Sequence, residues 1–310
     1  GSSGVVLGFY YVRDLLPRTG VADACPGSNG GEMFYVLVPD ATGEVSGARS
    51  KAFVESIVLS TIAHELQHLI NASRRMYVNG SPAVSEETWL NEGLSHIAEE
   101  LLFYRVTGIG PRQNIGAAQL APGSPARMFH DLYMRGNFGR LSQYLQNPES
   151  NSPLATNDQL ATRGASWSLL RYIADRIGAT DGDFWRRLAN ARTTGVVNLD
   201  AQLQGTGLNT MTMVRDWSAA VFMDDNSAVV SPQMSHPSWN YRSAMPQVGM
   251  SFGLAAPALA DAVSAPMPLR AGGSAYVRMA VGAGKEALVQ VTNNGGIPQP
   301  GVRLTLIRTR

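Results

Sequence analysis

The chain contains a single cysteine, Cys25, among its 310 residues. It can therefore form no intrachain disulfide, and a zinc site built from pairs of cysteines is excluded. No stretch approaches the roughly 18 consecutive apolar residues that a transmembrane helix needs, so we expect no membrane span. Basic and acidic residues nearly balance at 25 and 24, which gives a net charge of +1. Such a balance provides no basic field for nucleic acid, and we expect no nucleic-acid partner.

Charged residues are also scarce, at 16% of the chain against 44% apolar residues. This composition is typical of a globular protein and not of a disordered chain. The length suffices for one large domain or two smaller ones. A charged segment followed by an apolar one, as in a secretory signal, is not found. We therefore expect either a cytoplasmic protein or a chain that begins after its signal was removed.

Hydrophobic periodicity predicts two short strands followed mainly by helices. The strands are expected at 5–12 and 32–38, which are rich in β-branched and aromatic residues. Ser50 is predicted to cap the first long helix. The predicted helices span 50–76, 86–107, 127–135, 140–146, 164–177, 181–192 and 209–223. β-forming segments return at 275–279, 287–291 and 302–307, with a turn at 293–296, and they predict a small C-terminal β unit.

The most informative motif is His-Glu-Leu-Gln-His at residues 64–68, inside the first long helix. Histidines at positions i and i+4 lie on one helix face, so His64 and His68 can bind one ion. Glu65 follows the first histidine, where its carboxylate can reach a water on that ion and accept its proton. The motif is short, and an ordinary helix with two solvated or buried histidines is the alternative interpretation.

A catalytic zinc ion needs a third protein ligand and leaves its fourth position to water. The run Trp-Leu-Asn-Glu-Gly-Leu-Ser at 89–95 offers Glu92, early in the next helix. Glu87 is a rival third ligand on spacing alone. Its side chain would lie about 140° around the helix from that of Glu92, on a different face. The Asn-Glu-Gly setting favours Glu92.

Three further residues of the second helix carry possible ligand atoms. His96 shares a helix face with Glu92, and it either supports the ligands from behind or is an ordinary helix histidine. Glu99 and Glu100 are predicted to form a solvated face.

His-Glu-x-x-His followed by Trp-Leu-Asn-Glu-Gly resembles the gluzincin metallopeptidases, whose third ligand is the glutamate of the second motif. The segment between His68 and Glu92 is longer than in the membrane-alanyl aminopeptidase and thermolysin groups, and the Gly-x-Met-Glu-Asn motif of the aminopeptidases is missing. The closer resemblance is to the hyicolysin family of bacterial secreted metallopeptidases. It rests on residues 31–35, 64–71, 89–95 and the helix from Trp167 to Gly178.

The resemblance implies a fold of the α+β class, with a gluzincin (thermolysin-like) core that contains a small mixed sheet and the active-site helices. A helical subdomain and a short C-terminal β unit would follow it. The catalytic subdomain is expected at 5–107, the mostly helical subdomain at 108–225, and a connection with the β unit at 226–310.

The resemblance also implies one Zn²⁺ ion held by His64, His68 and Glu92, with Glu65 as general base. The expected function is that of a zinc metalloendopeptidase acting on polypeptides, exported from a bacterium to the medium or the cell envelope. One alternative is a metallohydrolase of a non-peptide bond. Another is a cell-envelope binding module that has a peptidase fold and has lost turnover.

The sequence leaves the residue that stabilises the oxyanion open. Related families place a tyrosine just before the glycine of the later helix, where this chain has Arg163-Gly164. Arg163 is therefore one candidate for binding the developing negative charge. The other candidates lie elsewhere in the chain: Tyr104, His130, Tyr133, Tyr172 and His236.

Overall fold

The computed structural model describes residues 5–22, 24–45, 47–80, 85–178, 180–224 and 231–309. Within these ranges, strands β1 (Gly8–Tyr10) and β2 (Phe34–Val36) form the one sheet, which is antiparallel, with Phe9 opposite Tyr35. The two predicted N-terminal strands are confirmed, although each is shorter than the apolar segment that predicts it. The small mixed sheet expected for this region is a two-stranded antiparallel ribbon.

Helices make up most of the regular structure in the described part of the chain. The bounds are α1 (Lys51–Ser73), α2 (Thr88–Thr107), α3 (Pro125–Tyr133), α4 (Arg135–Gln146), α5 (Leu160–Ala174), α6 (Asp181–Ala189), α7 (Gly195–Leu203), α8 (Thr210–Met223) and α9 (Tyr241–Gln247). A π-helical turn, Arg74–Val78, continues α1, and short 3-10 turns lie at Val12–Leu15 and Pro232–Met234. The chain is thus a mainly helical protein with a small sheet, compatible with the α+β class. No helix among the described residues is both long and apolar enough to span a bilayer.

Capping side chains explain where several helices begin. The predicted cap Ser50 accepts a hydrogen bond from the Phe53 amide at 3.1 Å, which satisfies an amide that has no partner within the helix.

α7 and α9 were not predicted. α7 begins at Gly195 with φ of 53°, and α9 is only seven residues long and contains Pro246. Short helices with such residues give little periodic signal.

The core forms around α2 and α5. α2 packs against α1, α3 and α5, while α5 also packs against α4 and α8. Trp89, Leu90, Trp167 and Leu170 are fully buried between them. A Cβ at Gly164 would lie 2.3 Å from the Arg140 carbonyl carbon, so the backbones of α5 and α4 touch there. Glycine at that position fixes how the first turn of α5 approaches the rest of the core.

The predicted C-terminal β unit is wrong for the described residues 231–309. This segment contains single bridges, Ala258 to Arg278 and Asn293 to Gly296, and no strand. Leu288 and Leu306 are 94% and 70% exposed. Alternating apolar residues form a strand only when a partner strand and a buried face are available, and here the segment has neither. The predicted turn at 293–296 is present as the second of the two bridges.

Candidate metal centre

α1 and α2 bring His64, His68 and Glu92 together at one point. The Nε2 atoms of the two histidines lie 3.2 Å apart. The Glu92 carboxylate lies 3.4 Å from Nε2 of His64 and 3.6 Å from Nε2 of His68. Both histidines are buried, and Glu92 is half-buried. These three side chains, named the ligand cluster below, can hold one metal ion.

The donor atoms of the ligand cluster suit a divalent transition metal. Two imidazole nitrogens and a carboxylate oxygen form a set that zinc accepts in catalytic sites. The three donors all lie within 4.8 Å of one another. A cation between them would neutralise the carboxylate and bind the two imidazole lone pairs, so the residues present fit such an ion.

Glu99 supports His64 from behind. Its Oε1 atom lies 2.7 Å from Nδ1 of His64 and 3.2 Å from Nδ1 of His96. Because Nδ1–H of His64 donates to this carboxylate, Nε2 of the neutral ring is left free to bind a metal. Glu99 and His96 are buried, so the expectation that Glu99 lies on a solvated face is wrong. α2 is covered on several sides, and position 99 faces α1 instead of water.

His68 has a comparable support in Ser95. The Ser95 hydroxyl lies 3.0 Å from Nδ1 of His68 and donates to Gln67 Oε1 at 2.7 Å. Nδ1–H of His68 can therefore donate to Ser95, which directs its Nε2 toward the ligand cluster. Both histidines thus have a hydrogen-bond partner on the side away from the candidate ion.

A second set of donors lies next to the first. His64, His96 and Glu99 are also close enough together to hold an ion. The ring centroids of His64 and His96 are 4.7 Å apart. His64 belongs to both sets, and its Nδ1 already bonds to Glu99. Of the two interpretations of His96, the structure favours a supporting residue behind His64.

The charges around the ligand cluster determine where a proton lies in the metal-free protein. Burial lowers the pKa of His64, but hydrogen bonds to Glu92 and Glu99 outweigh it and raise that pKa to about 9. Burial lowers the pKa of His68 to about 4. Burial raises the pKa of Glu92, but the nearby histidines lower it to about 2. His64 would therefore have to lose its proton before its Nε2 could hold a cation beside Glu92.

Glu65 lies beside the ligand cluster without belonging to it. Burial raises the pKa of its carboxyl, whereas the charge of His64 lowers it. The nearby backbone of Tyr10 also lowers the pKa of this carboxyl. A Cβ at Gly8 would lie 3.1 Å from Cγ of Glu65, so glycine allows β1 to cross closely over α1 at this point. The strand thereby fixes the position of Glu65.

Arg163 reaches the ligand cluster from the first turn of α5. Its NH1 atom lies 2.7 Å from Oε2 of Glu92. Its Nε and NH2 atoms each donate to Asp158 at 2.7 Å. A guanidinium is therefore placed next to the third candidate ligand.

The other candidates for the oxyanion role are buried and have partners elsewhere. The Tyr104 hydroxyl donates to Glu100 at 3.1 Å, and the Tyr172 hydroxyl donates to the Gln233 carbonyl at 2.7 Å. His130 packs edge-on against Phe138, Tyr133 stacks on Phe129, and His236 packs between Tyr172 and Tyr241.

Glu87 and Glu100 also lie outside the ligand cluster. Glu87 occupies the N-cap position of α2, and its carboxylate accepts a hydrogen bond from Trp89 Nε1 at 2.7 Å. Glu100 is fully buried and pairs with Arg171, whose Nε lies 2.7 Å away. The expected solvated face is therefore wrong for Glu100 as well, because it forms a buried ion pair in the core.

Sequence reasoning missed Glu99, Ser95 and Tyr10 as parts of the site. Glu99 follows Glu92 by seven residues, and two helical turns return it to the same face, so this spacing could have identified it. Ser95 and Tyr10 carry no such signal, because a single hydroxyl or strand residue has many ordinary uses.

In comparisons with known proteins, no family model matches this chain, and no curated protein matches it significantly. The resemblance to the hyicolysin family, which rests on short motifs, therefore stays a prediction.

Proposed function

We propose that this protein is a zinc-dependent metallopeptidase that hydrolyses peptide bonds with a metal-activated water. The observation that carries the proposal is the convergence of His64, His68 and Glu92 with the non-ligating carboxylate of Glu65 beside them. Hydrolysis on a metal needs both parts, since ligands alone only hold the ion.

When bound, a zinc ion supplies a Lewis acid that lowers the pKa of a water to about 7 and polarises a carbonyl. His64, His68 and Glu92 would hold it. Glu65 takes one proton from the attacking water while the water oxygen bonds to the carbonyl carbon, and the C=O electron pair moves onto the carbonyl oxygen. When that pair returns, the C–N bond breaks and Glu65 gives its proton to the leaving nitrogen. One water is consumed, and a carboxylic acid and an amine are formed, which exchange a proton to leave as a carboxylate and an ammonium ion.

The surroundings of Glu65 support its role as the base. Burial raises its pKa, and a carboxylate with a raised pKa is a stronger base at neutral pH. The close approach of β1 at Gly8 restricts the position of its side chain. Because the site lies beside a short strand, an extended polypeptide is a suitable substrate. The family resemblance adds a secreted or cell-envelope location to the proposal.

The experiment compares Glu65→Gln with the wild type in zinc content and in cleavage of casein. The amide keeps the size of the side chain but cannot accept the proton, so cleavage should fall by about 10²- to 10⁴-fold. Zinc should remain at one ion per chain. Glu55→Gln is a matched control, because Glu55 lies on the exposed side of the same helix. Full cleavage by zinc-loaded Glu65→Gln would show that Glu65 is not the general base.

A second candidate is a cell-envelope binding module without turnover. One contact favours it, because the guanidinium of Arg163 lies 2.7 Å from Glu92 and competes with a cation for that carboxylate. A casein assay with and without chelator separates the two functions. Cleavage that the chelator abolishes and zinc restores supports the peptidase. A panel of non-peptide substrates tests the remaining metallohydrolase alternative.

A further inference from the structure

We infer that Arg163 stabilises the oxyanion of the reaction and that Asp158 is the residue that positions it. This inference rests on the proposed function. The sequence leaves six candidates for the role, and their contacts separate them. Of the six, Arg163 is the one whose side chain contacts a member of the ligand cluster.

The contacts of Arg163 divide its guanidinium into two ends. Asp158 binds one edge through two hydrogen bonds of 2.7 Å, to Nε and NH2. NH1 lies at the other end, 2.7 Å from Glu92. A guanidinium carries five N–H donors in a fixed plane. The two hydrogen bonds to Asp158 use two of these donors, the contact of NH1 with Glu92 is an ion pair, and the side chain is 20% exposed, so donors of the guanidinium remain accessible.

The backbone holds this arginine in place. The Arg163 amide donates to the Gln159 carbonyl at 3.1 Å in the first turn of α5. The next residue, Gly164, lies directly against the backbone of α4, where a Cβ would approach Leu141 N to 2.3 Å. The first turn of α5 has no room to move toward α4. Such constraint suits a catalytic group, which loses effect when it is displaced by about 1 Å.

The positive charge of Arg163 suits it to stabilise the negative charge that develops on the carbonyl oxygen. Arg163 is a cation whose NH1 lies 2.7 Å from the Glu92 carboxylate, at the edge of the ligand cluster. When water attacks, the electron pair of the C=O bond becomes a lone pair on the carbonyl oxygen, which gains negative charge. An N–H of Arg163 donates a hydrogen bond to that oxygen, and no bond to the arginine forms or breaks. A fixed cation at this point stabilises the transition state more than the ground state.

The experiment uses zinc-loaded full-length protein and measures kcat, KM and the affinity for a peptide phosphonate. The phosphonate carries a tetrahedral anion in place of the scissile carbonyl, and its binding is read by calorimetry. We expect Arg163→Met to lower kcat by about 10²- to 10³-fold with little change in KM. The phosphonate Kd should rise by a similar factor. Arg163→Lys should recover part of both losses, and Asp158→Asn should lower kcat more than it raises KM.

The control is Arg186→Met, since Arg186 also pairs with an aspartate but lies on α6 outside the ligand cluster. It should leave kcat and the phosphonate Kd unchanged. Zinc per chain is measured for each variant. An Arg163→Met variant that retains zinc and loses kcat with unchanged phosphonate affinity would overturn the inference. The Tyr10 ring lies 5.7 Å from that of His68, so Tyr10→Phe is measured as well. A loss of both quantities in Tyr10→Phe, with none in Arg163→Met, would also overturn the inference.

The failure of the proposed function can be told apart from the failure of this inference. If the wild type cleaves no peptide, the proposed function fails, and phosphonate binding by itself then decides the role of Arg163. Affinity that depends on Arg163 supports an anion-stabilising group at this position. Affinity that does not depend on it overturns the inference.

Discussion

Replacement of Glu99 tests whether the buried side of the metal centre controls metal affinity. The Glu99 carboxylate lies 2.7 Å from Nδ1 of His64 and 3.2 Å from Nδ1 of His96. Loss of a partner that orients a ligating histidine typically costs 10- to 100-fold in metal affinity, or about 1.4 to 2.7 kcal/mol. Glu99→Gln keeps an acceptor oxygen, so we expect zinc affinity to fall by about 10-fold. Glu99→Ala leaves both Nδ1–H groups without an acceptor, and we expect about 100-fold.

The assay is a zinc titration against a chromophoric chelator at pH 7.5, with circular dichroism to verify folding. Glu55→Gln serves again as the exposed control and should keep the affinity of the wild type. Removal of a buried carboxylate can unfold a protein, so Glu99→Gln keeps the prediction testable if Glu99→Ala does not fold. A folded Glu99→Gln that binds zinc more than 100-fold weaker, or a folded Glu99→Ala that binds it as tightly as the wild type, would refute the reasoning.

Two further predictions concern stability. Burial lowers the pKa of His236 to about 3, so below pH 6.5 the unfolded chain binds a proton that the folded chain does not, and stability falls as pH falls. Between pH 6.5 and pH 5 this costs about 1.6 kcal/mol. Urea unfolding of His236→Phe should lack this part of the loss, and an equal loss in both proteins would contradict the low pKa of His236. Gly164→Ala places a methyl group 2.3 Å from the Arg140 backbone and should lower the unfolding free energy by about 1–3 kcal/mol. Gly182→Ala, with open space around it, should be neutral or slightly stabilising, and equal effects at both glycines would argue against the close contact of α4 and α5.

Much of the site could be predicted because its residues follow helical spacing. His64 and His68 are one turn apart on α1, and Glu92 stands in a short local motif of α2, so each could be identified without knowledge of the tertiary structure. Glu99 shares the helix face of Glu92 through their seven-residue spacing, but amphipathic patterns assume one buried face and place it among the surface residues. α2 packs against α1, α3 and α5, and a helix covered on several sides also buries its charged residues. The same effect buries Glu100 beside Arg171.

Other parts of the structure depend on packing partners that are distant in the chain. The placement of Arg163 beside Glu92 requires the close contact of α5 with α4 and α2, and no local pattern records it. The C-terminal segment shows the reverse. Alternation at 275–279 and 302–307 predicts strands, but among the described residues their pairing is limited to the single bridge between Ala258 and Arg278. Sequence periodicity reports which faces are apolar, whereas pairing and burial depend on what packs against those faces.

The most direct test of the metal centre is anomalous diffraction at the zinc edge from zinc-loaded crystals. We predict one peak, with Nε2 of His64, Nε2 of His68 and a carboxylate oxygen of Glu92 at about 2.0–2.2 Å. A peak between His64, His96 and Glu99, or a Glu92 that remains paired with Arg163 away from the ion, would contradict it.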